Sequence, residues 1–138
     1  MARRRRGTGA PPNAGTLRRV IDHVTVPVSE LARSRSFYEA ALAPLGLEPA
    51  GEWPGGVIYR LGGGGWLALD ERDRVAPIHI AFGTDRQGVD AFHEAAVAVG
   101  GEDNGGPGIR SQYHEHYYAA YALDPDGHNI ELVTRPRG

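Results

Sequence analysis

Three side chains in the 138-residue sequence have the types and positions suited to binding a metal ion. His23 and His79 each lie in a short run of β-branched residues, and Glu131 interrupts the apolar run Ile130–Val133. A carboxylate within an apolar strand needs a partner, because burying it unpaired is costly. Two imidazoles and one carboxylate that leave open coordination positions suit a divalent ion, with Fe(II) favoured and Mn, Zn or Ni as alternatives. The sequence therefore predicts a three-ligand metal site.

The two histidines occupy equivalent places in an internal repeat. His23 lies in a predicted strand followed by a helix with the pattern Phe37-x-Glu-Ala-Ala. His79 lies in a predicted strand followed by a helix with the pattern Phe92-x-Glu-Ala-Ala. Three short strands separated by turns are expected after each helix. The order strand–helix–strand–strand–strand therefore occurs twice and predicts an α+β fold in which two modules bury their apolar faces together.

Composition limits the folded part and excludes several kinds of chemistry. Residues 1–19 are rich in Arg, Pro and Gly and are expected to be a disordered tail, although a nucleic-acid or localisation patch is the alternative role for Arg3–Arg6. A single domain is expected over 20–135, with modules at 20–71 and 76–135. The absence of Cys and Lys excludes disulfides, thiolate-bound metals and Schiff-base chemistry. A net charge of −2 and the lack of a long apolar segment favour a cytoplasmic protein without nucleic-acid or membrane partners.

The ends of the helices and one hairpin have recognisable sequence signals. Ser29 is expected to cap the first helix, and Thr84 or Asp85 the second. The sequence Asp-Pro-Asp-Gly at 124–127 is typical of a type I turn with a following left-handed glycine, which produces a bulged hairpin. In this register Tyr121 pairs with Glu131, whereas a plain two-residue turn would pair Ala120 with it. The bulged register is preferred because the turn residues favour it.

Other side chains that are able to act in chemistry lie mainly around this hairpin. The segment 113–118 is predicted to be a polar aromatic loop, in which His114 or His116 supplies an acid/base group near neutrality, with exposed surface histidines as the alternative. Three aromatic residues either line a substrate pocket or pack in the core: Trp53, Tyr59 and Trp66. Two further histidines are expected at the surface: His93 and His128.

Together these motifs resemble the vicinal oxygen chelate superfamily, which includes glyoxalase I, bleomycin-resistance proteins and extradiol ring-cleaving dioxygenases. The resemblance covers about residues 20–134. It rests on four segments: Ile21-Asp-His23-Val, the helix from Ser29 to Leu42, Pro77-Ile-His79-Ile-Ala-Phe82, and Asp124-Pro-Asp-Gly-His-Asn-Ile-Glu131. It implies two βαβββ modules that form a curved mixed sheet around a metal-binding cleft, in a homodimer.

The resemblance also implies roles for particular residues. The family's fourth ligand position falls on Ala68, which counts against glyoxalase I activity. A three-ligand set resembles the extradiol dioxygenases, where Tyr121 matches an active-site tyrosine, and the fosfomycin-resistance thiol transferases, where Thr25 matches a threonine. The Lys-bearing phosphate loop of those transferases has no counterpart in a chain without Lys.

The expected function is metal-dependent catalysis on a small oxygen-bearing substrate, most like extradiol ring cleavage or a glyoxalase-type lyase reaction. A metal-free drug-binding protein of the bleomycin-resistance kind and a fosfomycin-type thiol transferase are the alternatives. Catalytic roles are expected for Tyr121, His114 and His116. Substrate contacts are expected from Thr25, Trp66, Tyr118 and Asn129.

Overall fold

The structure is a computed structural model that describes residues 20–135, so the predicted tail at 1–19 lies outside the described part, as do residues 136–138. The first module contains β1 (His23–Val28), α1 (Leu31–Ala41), a 3₁₀ turn (Ala43–Leu45), β2 (Glu48–Trp53), β3 (Gly56–Arg60) and β4 (Trp66–Glu71). The second module contains β5 (His79–Gly83), α2 (Arg86–Ala98), β6 (Glu102–Asp103), β7 (Gly108–Ile109), β8 (Tyr118–Leu123) and β9 (Asn129–Thr134). Within 20–135, no helix combines the length and apolar character needed to cross a bilayer.

Each module forms its own mixed sheet, in which the first strand pairs in parallel with the last. The strand order is β1-β4-β3-β2 in the first sheet and β5-β9-β8-β6 in the second, where β7 also pairs with β8. The α+β class and the repeated βαβββ order are therefore confirmed. Within the described chain the two sheets are separate, and β1 and β5 are both edge strands.

The second strand of the second module is divided into the two short strands β6 and β7. The sequence between them contains Gly105, Gly106 and Pro107. Glycine weakens a strand and proline cannot donate to the ladder, so pairing with β8 is interrupted here. The interruption leaves a loop that lies across β8, with the Tyr121 amide donating to the Gly105 carbonyl at 2.8 Å.

One hydrophobic core joins the modules. Helix α1 packs on β4, α2 packs on β8 and β9, and the two helices contact each other. The largest fully buried apolar side chains include Phe37, Tyr38, Tyr59, Phe92 and Leu132. Burying each such side chain contributes about 1.5–3 kcal/mol. Because the helices cover one face of each sheet, the opposite faces remain available for binding.

The two helices begin differently from each other. Asp85 is the N-cap of α2 and accepts a hydrogen bond from the Gly88 amide at 2.8 Å, as predicted. The prediction for Ser29 is wrong: the N-cap of α1 is Glu30, which makes no side-chain cap bond. Instead, the Leu31 amide donates to the carboxylate of Glu71 at 2.7 Å. A carboxylate from β4 thus replaces a local cap.

The hairpin between β8 and β9 has the predicted bulged register. Gly127 adopts a φ of +84°, and the Asp124 amide donates to the His128 carbonyl at 3.0 Å. Tyr121 lies opposite Glu131, while Ala120 lies opposite Leu132. The left-handed glycine adds the extra residue that brings Tyr121 onto the same face as Glu131.

The turn formed by residues 124–128 connects the two modules. The buried Tyr38 hydroxyl of α1 donates to Asp124, and the Ser29 hydroxyl donates to Asp126. Burial, followed by the charge of Asp124, raises the pKa of Tyr38 well above its usual value, so the hydroxyl stays a donor. Ser29 is therefore drawn away from α1 by a residue of the other module.

His128 completes this connection and is fully buried, so the prediction that it lies at the surface is wrong. Its Nδ1 accepts a hydrogen bond from the Ile78 amide at 3.0 Å, and its Nε2 donates to the Pro27 carbonyl at 2.8 Å. An amide can only donate and a carbonyl can only accept, so these contacts select the neutral imidazole with its proton on Nε2. The side chain thereby ties β1 to the residue that precedes His79.

Candidate metal centre

The second module brings two of the predicted ligands together. His79 begins β5 and Glu131 lies on the neighbouring β9, with His79 Nε2 at 3.0 Å from Glu131 Oε1. The other imidazole nitrogen, Nδ1, donates to the Asn129 carbonyl at 3.0 Å. Glu131 is 2% exposed, whereas the His79 side chain is 52% exposed. The pair therefore consists of a buried carboxylate and a solvent-accessible imidazole.

This pair has the donor chemistry of a metal half-site. With its proton on Nδ1, a neutral His79 would direct the Nε2 lone pair at the carboxylate oxygen, an arrangement that a cation between the two acceptors would satisfy. Ligand atoms about 2.1 Å from a metal and at right angles to each other lie about 3.0 Å apart. The observed separation of 3.0 Å matches that requirement. His79 and Glu131 thus fit a divalent ion.

Two tyrosines surround the carboxylate of Glu131. The Tyr117 hydroxyl donates to Glu131 Oε2, and the ring of Tyr121 stacks on His79 with centroids 6.3 Å apart. Burial, followed by contact with Glu131, raises the pKa of both tyrosines, so both hydroxyls stay protonated. Sequence reasoning missed Tyr117, although residues 117, 119 and 121 share one face of an extended strand.

A guanidinium lies on the other side of Tyr121. Arg110 Cζ is 5.2 Å from the centroid of the Tyr121 ring, and Nη1 and Nη2 donate to the carbonyls of Gly108 and Gly106. Gly105 permits this arrangement: its φ is +140°, and a Cβ there would lie 3.0 Å from the Tyr121 ring and 3.1 Å from Arg110 Nη2. The loop therefore places a positive charge against the Tyr121 ring.

The first module has different residues on the sheet face that is equivalent to the face carrying His79 and Glu131. His23 lies opposite Trp66, and Thr25 lies opposite Ala68. In the second module, His79 lies opposite Asn129 and Glu131 lies opposite Ala81. Ala68 therefore stands where the second module has Glu131, so the first module offers one ligand and the second offers two.

His23 lies apart from the other two predicted ligands within one chain. Its Nδ1 is 2.9 Å from the carboxylate of Asp22, and its side chain is 58% exposed. Among residues 20–135, no three His, Asp or Glu side chains are grouped closely enough to hold a metal. His23, Ile58 and Trp66 line a groove of about 280 Å³ on the exposed face of the first sheet. Trp66 thus lies beside His23 as part of that groove wall.

Three of the predicted catalytic and substrate-contacting residues lie elsewhere. His114 Nδ1 accepts from the His116 amide at 3.0 Å, and His116 pairs with Glu115, so neither histidine contacts His79 or Glu131. The Tyr118 hydroxyl donates to Asp90 at 2.6 Å on the helix side of β8. Tyr118 faces away because neighbouring residues of a strand point to opposite faces, and Tyr117 occupies the site face.

Asn129 lies within the half-site but is already engaged. Its carbonyl orients His79, and its side-chain oxygen accepts from the Asn104 amide group at 3.1 Å. The side chain therefore supports the loop that carries Arg110.

Comparison with known proteins identifies the family of the chain. The sequence profile of the glyoxalase/bleomycin resistance protein/dioxygenase superfamily matches residues 20–132. The metallothiol transferase FosB of Shouchella clausii is 34% identical over 123 residues, which cover 83% of this chain and 79% of that protein.

Solved structures of similar proteins extend the comparison. A glyoxalase/bleomycin resistance protein from Albidiferax ferrireducens has a TM-score of 0.73 and 31% identity, with 86% of this chain and 100% of that chain covered. A mutant of the fosfomycin resistance protein FosX from Listeria monocytogenes, complexed with Mn(II) and 1S,2S-dihydroxypropylphosphonic acid, has a TM-score of 0.64 and 24% identity, with 82% and 87% covered. At 24% identity, the FosX structure supports a shared fold and no shared activity. The profile match, together with the repeated βαβββ modules, establishes that the chain belongs to the glyoxalase/bleomycin resistance protein/dioxygenase superfamily.

Proposed function

We propose that this protein is a divalent-metal-dependent enzyme acting on a small, oxygen-bearing anion, with each metal centre assembled from two copies of the chain. The observation that carries the proposal is the 3.0 Å approach of His79 Nε2 to Glu131 Oε1 on one sheet, while His23 lies exposed on the other. In this arrangement one copy contributes His23, and the second copy contributes His79 and Glu131.

The strand edges support assembly from two copies. Both β1 and β5, which carry the two histidines, lie at the edges of their sheets. An exposed edge presents unpaired backbone donors and acceptors that favour pairing with another chain. Pairing the first module of one copy with the second module of another would bring the single-ligand face and the two-ligand face together. Each dimer would then hold two equivalent centres.

The residues of the site have separate tasks in the proposed reaction. His23, His79 and Glu131 would hold the ion, which supplies Lewis acidity towards vicinal substrate oxygens. Fe(II), Mn, Zn and Ni all suit this donor set. Burial and the charge of Glu131 raise the pKa of Tyr121, so its hydroxyl keeps its proton and would donate a hydrogen bond to a substrate oxygen. Thr25 and Trp66 line the opposite wall, on the face of His23.

Mixing two inactive variants tests whether the centre is shared. A dimer of His23→Ala and Glu131→Ala chains contains one intact centre, built from the first module of one chain and the second module of the other. Random exchange of subunits is expected to restore about a quarter of the wild-type Mn(II) stoichiometry and activity. Equilibrium dialysis and a substrate screen with fosfomycin plus cysteine, catechol and methylglyoxal provide the measurements.

A matched mixture serves as the control for this experiment. His79→Ala and Glu131→Ala both alter the second module, so every centre in their mixture lacks a ligand and nothing is restored. If the His23→Ala and Glu131→Ala mixture also regains nothing after subunit exchange is verified, the proposal of a shared centre is wrong.

The position of Arg110 supports a more specific activity, the transfer of a thiol to an anionic substrate. The sequence offers no Lys for a phosphate loop, but the Arg110 guanidinium lies 5.2 Å from the centroid of the Tyr121 ring, which also stacks on His79. Guanidinium carries five donors and binds phosphate-like groups well, and the two loop carbonyls engage only one donor on each terminal nitrogen. The 34% identity to a metallothiol transferase agrees with this activity. Ring cleavage of a catechol, with Tyr121 as donor, is the second candidate.

Arg110→Gln is expected to raise KM for an anionic substrate about 10- to 100-fold, the range for losing one charge-assisted hydrogen bond. The affinity for Mn(II) should remain unchanged, because Arg110 does not contact His79 or Glu131. Steady-state kinetics with fosfomycin and calorimetric Mn(II) titration measure the two quantities. Arg86→Gln is the control, since Arg86 stacks on Tyr118 at 4.3 Å on the helix side of the same strand. Equal KM values for Arg110→Gln and wild type would exclude the role in anion binding.

A further inference from the structure

We infer that Tyr117 is a positioning residue that restricts Glu131 to binding a metal through a single oxygen, Oε1. The inference rests on the proposed metal centre and adds the number of coordination positions that the centre leaves for substrate. The sequence motifs point to Tyr118 and Tyr121 and assign no role to Tyr117.

The two carboxylate oxygens of Glu131 have different partners. Oε1 lies 3.0 Å from His79 Nε2, on the side where His79 is exposed. Oε2 accepts the hydrogen bond of the buried Tyr117 hydroxyl. Since Glu131 is 2% exposed, water does not compete for Oε2, and the hydroxyl remains its donor. The carboxylate is thereby fixed with one oxygen facing the half-site and the other engaged.

The aromatic ring of Tyr117 is held independently of its hydroxyl. It packs with Ala119 and Val133, lies 5.1 Å from the ring of Tyr113, and is covered by the Arg135 guanidinium at 5.0 Å. Removing the hydroxyl alone should therefore leave the ring in place. The Tyr117→Phe substitution consequently isolates the hydrogen bond to Glu131 from the packing of the ring.

Coordination number explains why the single-oxygen arrangement matters. An ion with about six coordination positions would keep three for other ligands if His23, His79 and one oxygen of Glu131 held it. A substrate that binds through two vicinal oxygens then fits with one position to spare. If both oxygens of Glu131 bound the ion, only the two substrate positions would remain. Tyr117 thus sets how many ligands the centre accepts besides the protein.

Mn(II) binding to the 138-residue protein tests this inference without relying on turnover. Tyr117→Phe is expected to weaken Mn(II) binding by about 10- to 100-fold, as seen when an outer-shell partner is lost. Water-proton relaxation should also report fewer exchangeable waters per bound Mn(II), because the released Oε2 takes one position. Tyr118→Phe is the matched control: it removes a hydroxyl bonded to a carboxylate, Asp90, on the opposite face of the same strand.

The outcomes separate the inference from the proposed function. If the wild-type protein binds Mn(II) and Tyr117→Phe binds it with the same affinity and hydration, the role of Tyr117 is overturned and the metal centre is not. Failure of the wild-type protein to bind Mn(II) overturns the metal centre and this inference together. Equal weakening in Tyr117→Phe and Tyr118→Phe shows a general loss of strand order and also contradicts a specific role for Tyr117.

Discussion

His79→Ala is expected to abolish stoichiometric binding of divalent metal ions and the activity that depends on it. His79 Nε2 is 3.0 Å from the buried Glu131 carboxylate, and His79 Nδ1 donates to the Asn129 carbonyl at 3.0 Å. Losing a direct ligand should weaken binding by more than the approximately 100-fold upper range for outer-shell partners. Calorimetric titration with Mn(II) measures the affinity directly.

Thermal stability provides a second readout of the same substitution. A metal present at about 100 times its Kd stabilises the native state by about 2.7 kcal/mol, so wild-type Tm should rise by several degrees with Mn(II). The Tm of His79→Ala should not respond. His93→Ala is the control. His93 lies on α2, away from the half-site, and its Nε2 is 2.8 Å from the carboxylate of Asp103. A Tm increase of wild-type size in His79→Ala would show that the ion binds elsewhere.

Asp124→Ala is expected to destabilise the fold by at least about 3 kcal/mol, because three donors lose their acceptor and each such loss costs about 1–3 kcal/mol when buried. Asp124 is 5% exposed and accepts from the Tyr38 hydroxyl and from the amides of Asp126 and His128, at 2.9 and 2.8 Å for the amides. The Tm should fall by more than about 10 °C for a domain of this size. Urea denaturation followed by circular dichroism measures the free energy of unfolding.

The neighbouring carboxylate supplies the comparison for Asp124. Asp126→Ala removes contacts with the exposed Ser29 and should cost only about 0.5–1.5 kcal/mol. Comparable losses in the two variants would mean that the buried bond to Tyr38 does not stabilise the junction between modules.

Local signals explain which structural features were predictable from sequence. The register that places Tyr121 opposite Glu131 follows from the turn at 124–127, since Pro and a left-handed Gly limit the hairpin to one geometry. The Asp85 cap likewise depends on atoms only three residues away. The repeated pattern of strands and helices was predictable because hydrophobic periodicity reports one buried face per element.

Features that depend on distant partners were not predictable. Ser29 fails to cap α1 because its partner, Asp126, belongs to the other module. His128 can be buried because the Pro27 carbonyl, 101 residues away in sequence, accepts the hydrogen bond of its Nε2. The separation of His23 from His79 has the same origin, since it depends on how the modules pack. The sequence identifies candidate ligands and the strands that carry them, but it contains no local signal for that packing.

The turn at 124–128 has a consequence for how this protein can change over evolutionary time. On one side it holds Tyr38 and Pro27 of the first module, and on the other it holds the Ile78 amide that precedes His79. A substitution in the turn therefore alters thermal tolerance and ligand placement together. Adaptation to a new substrate is consequently easier in the loop around Arg110, which makes no comparable bond to the first module.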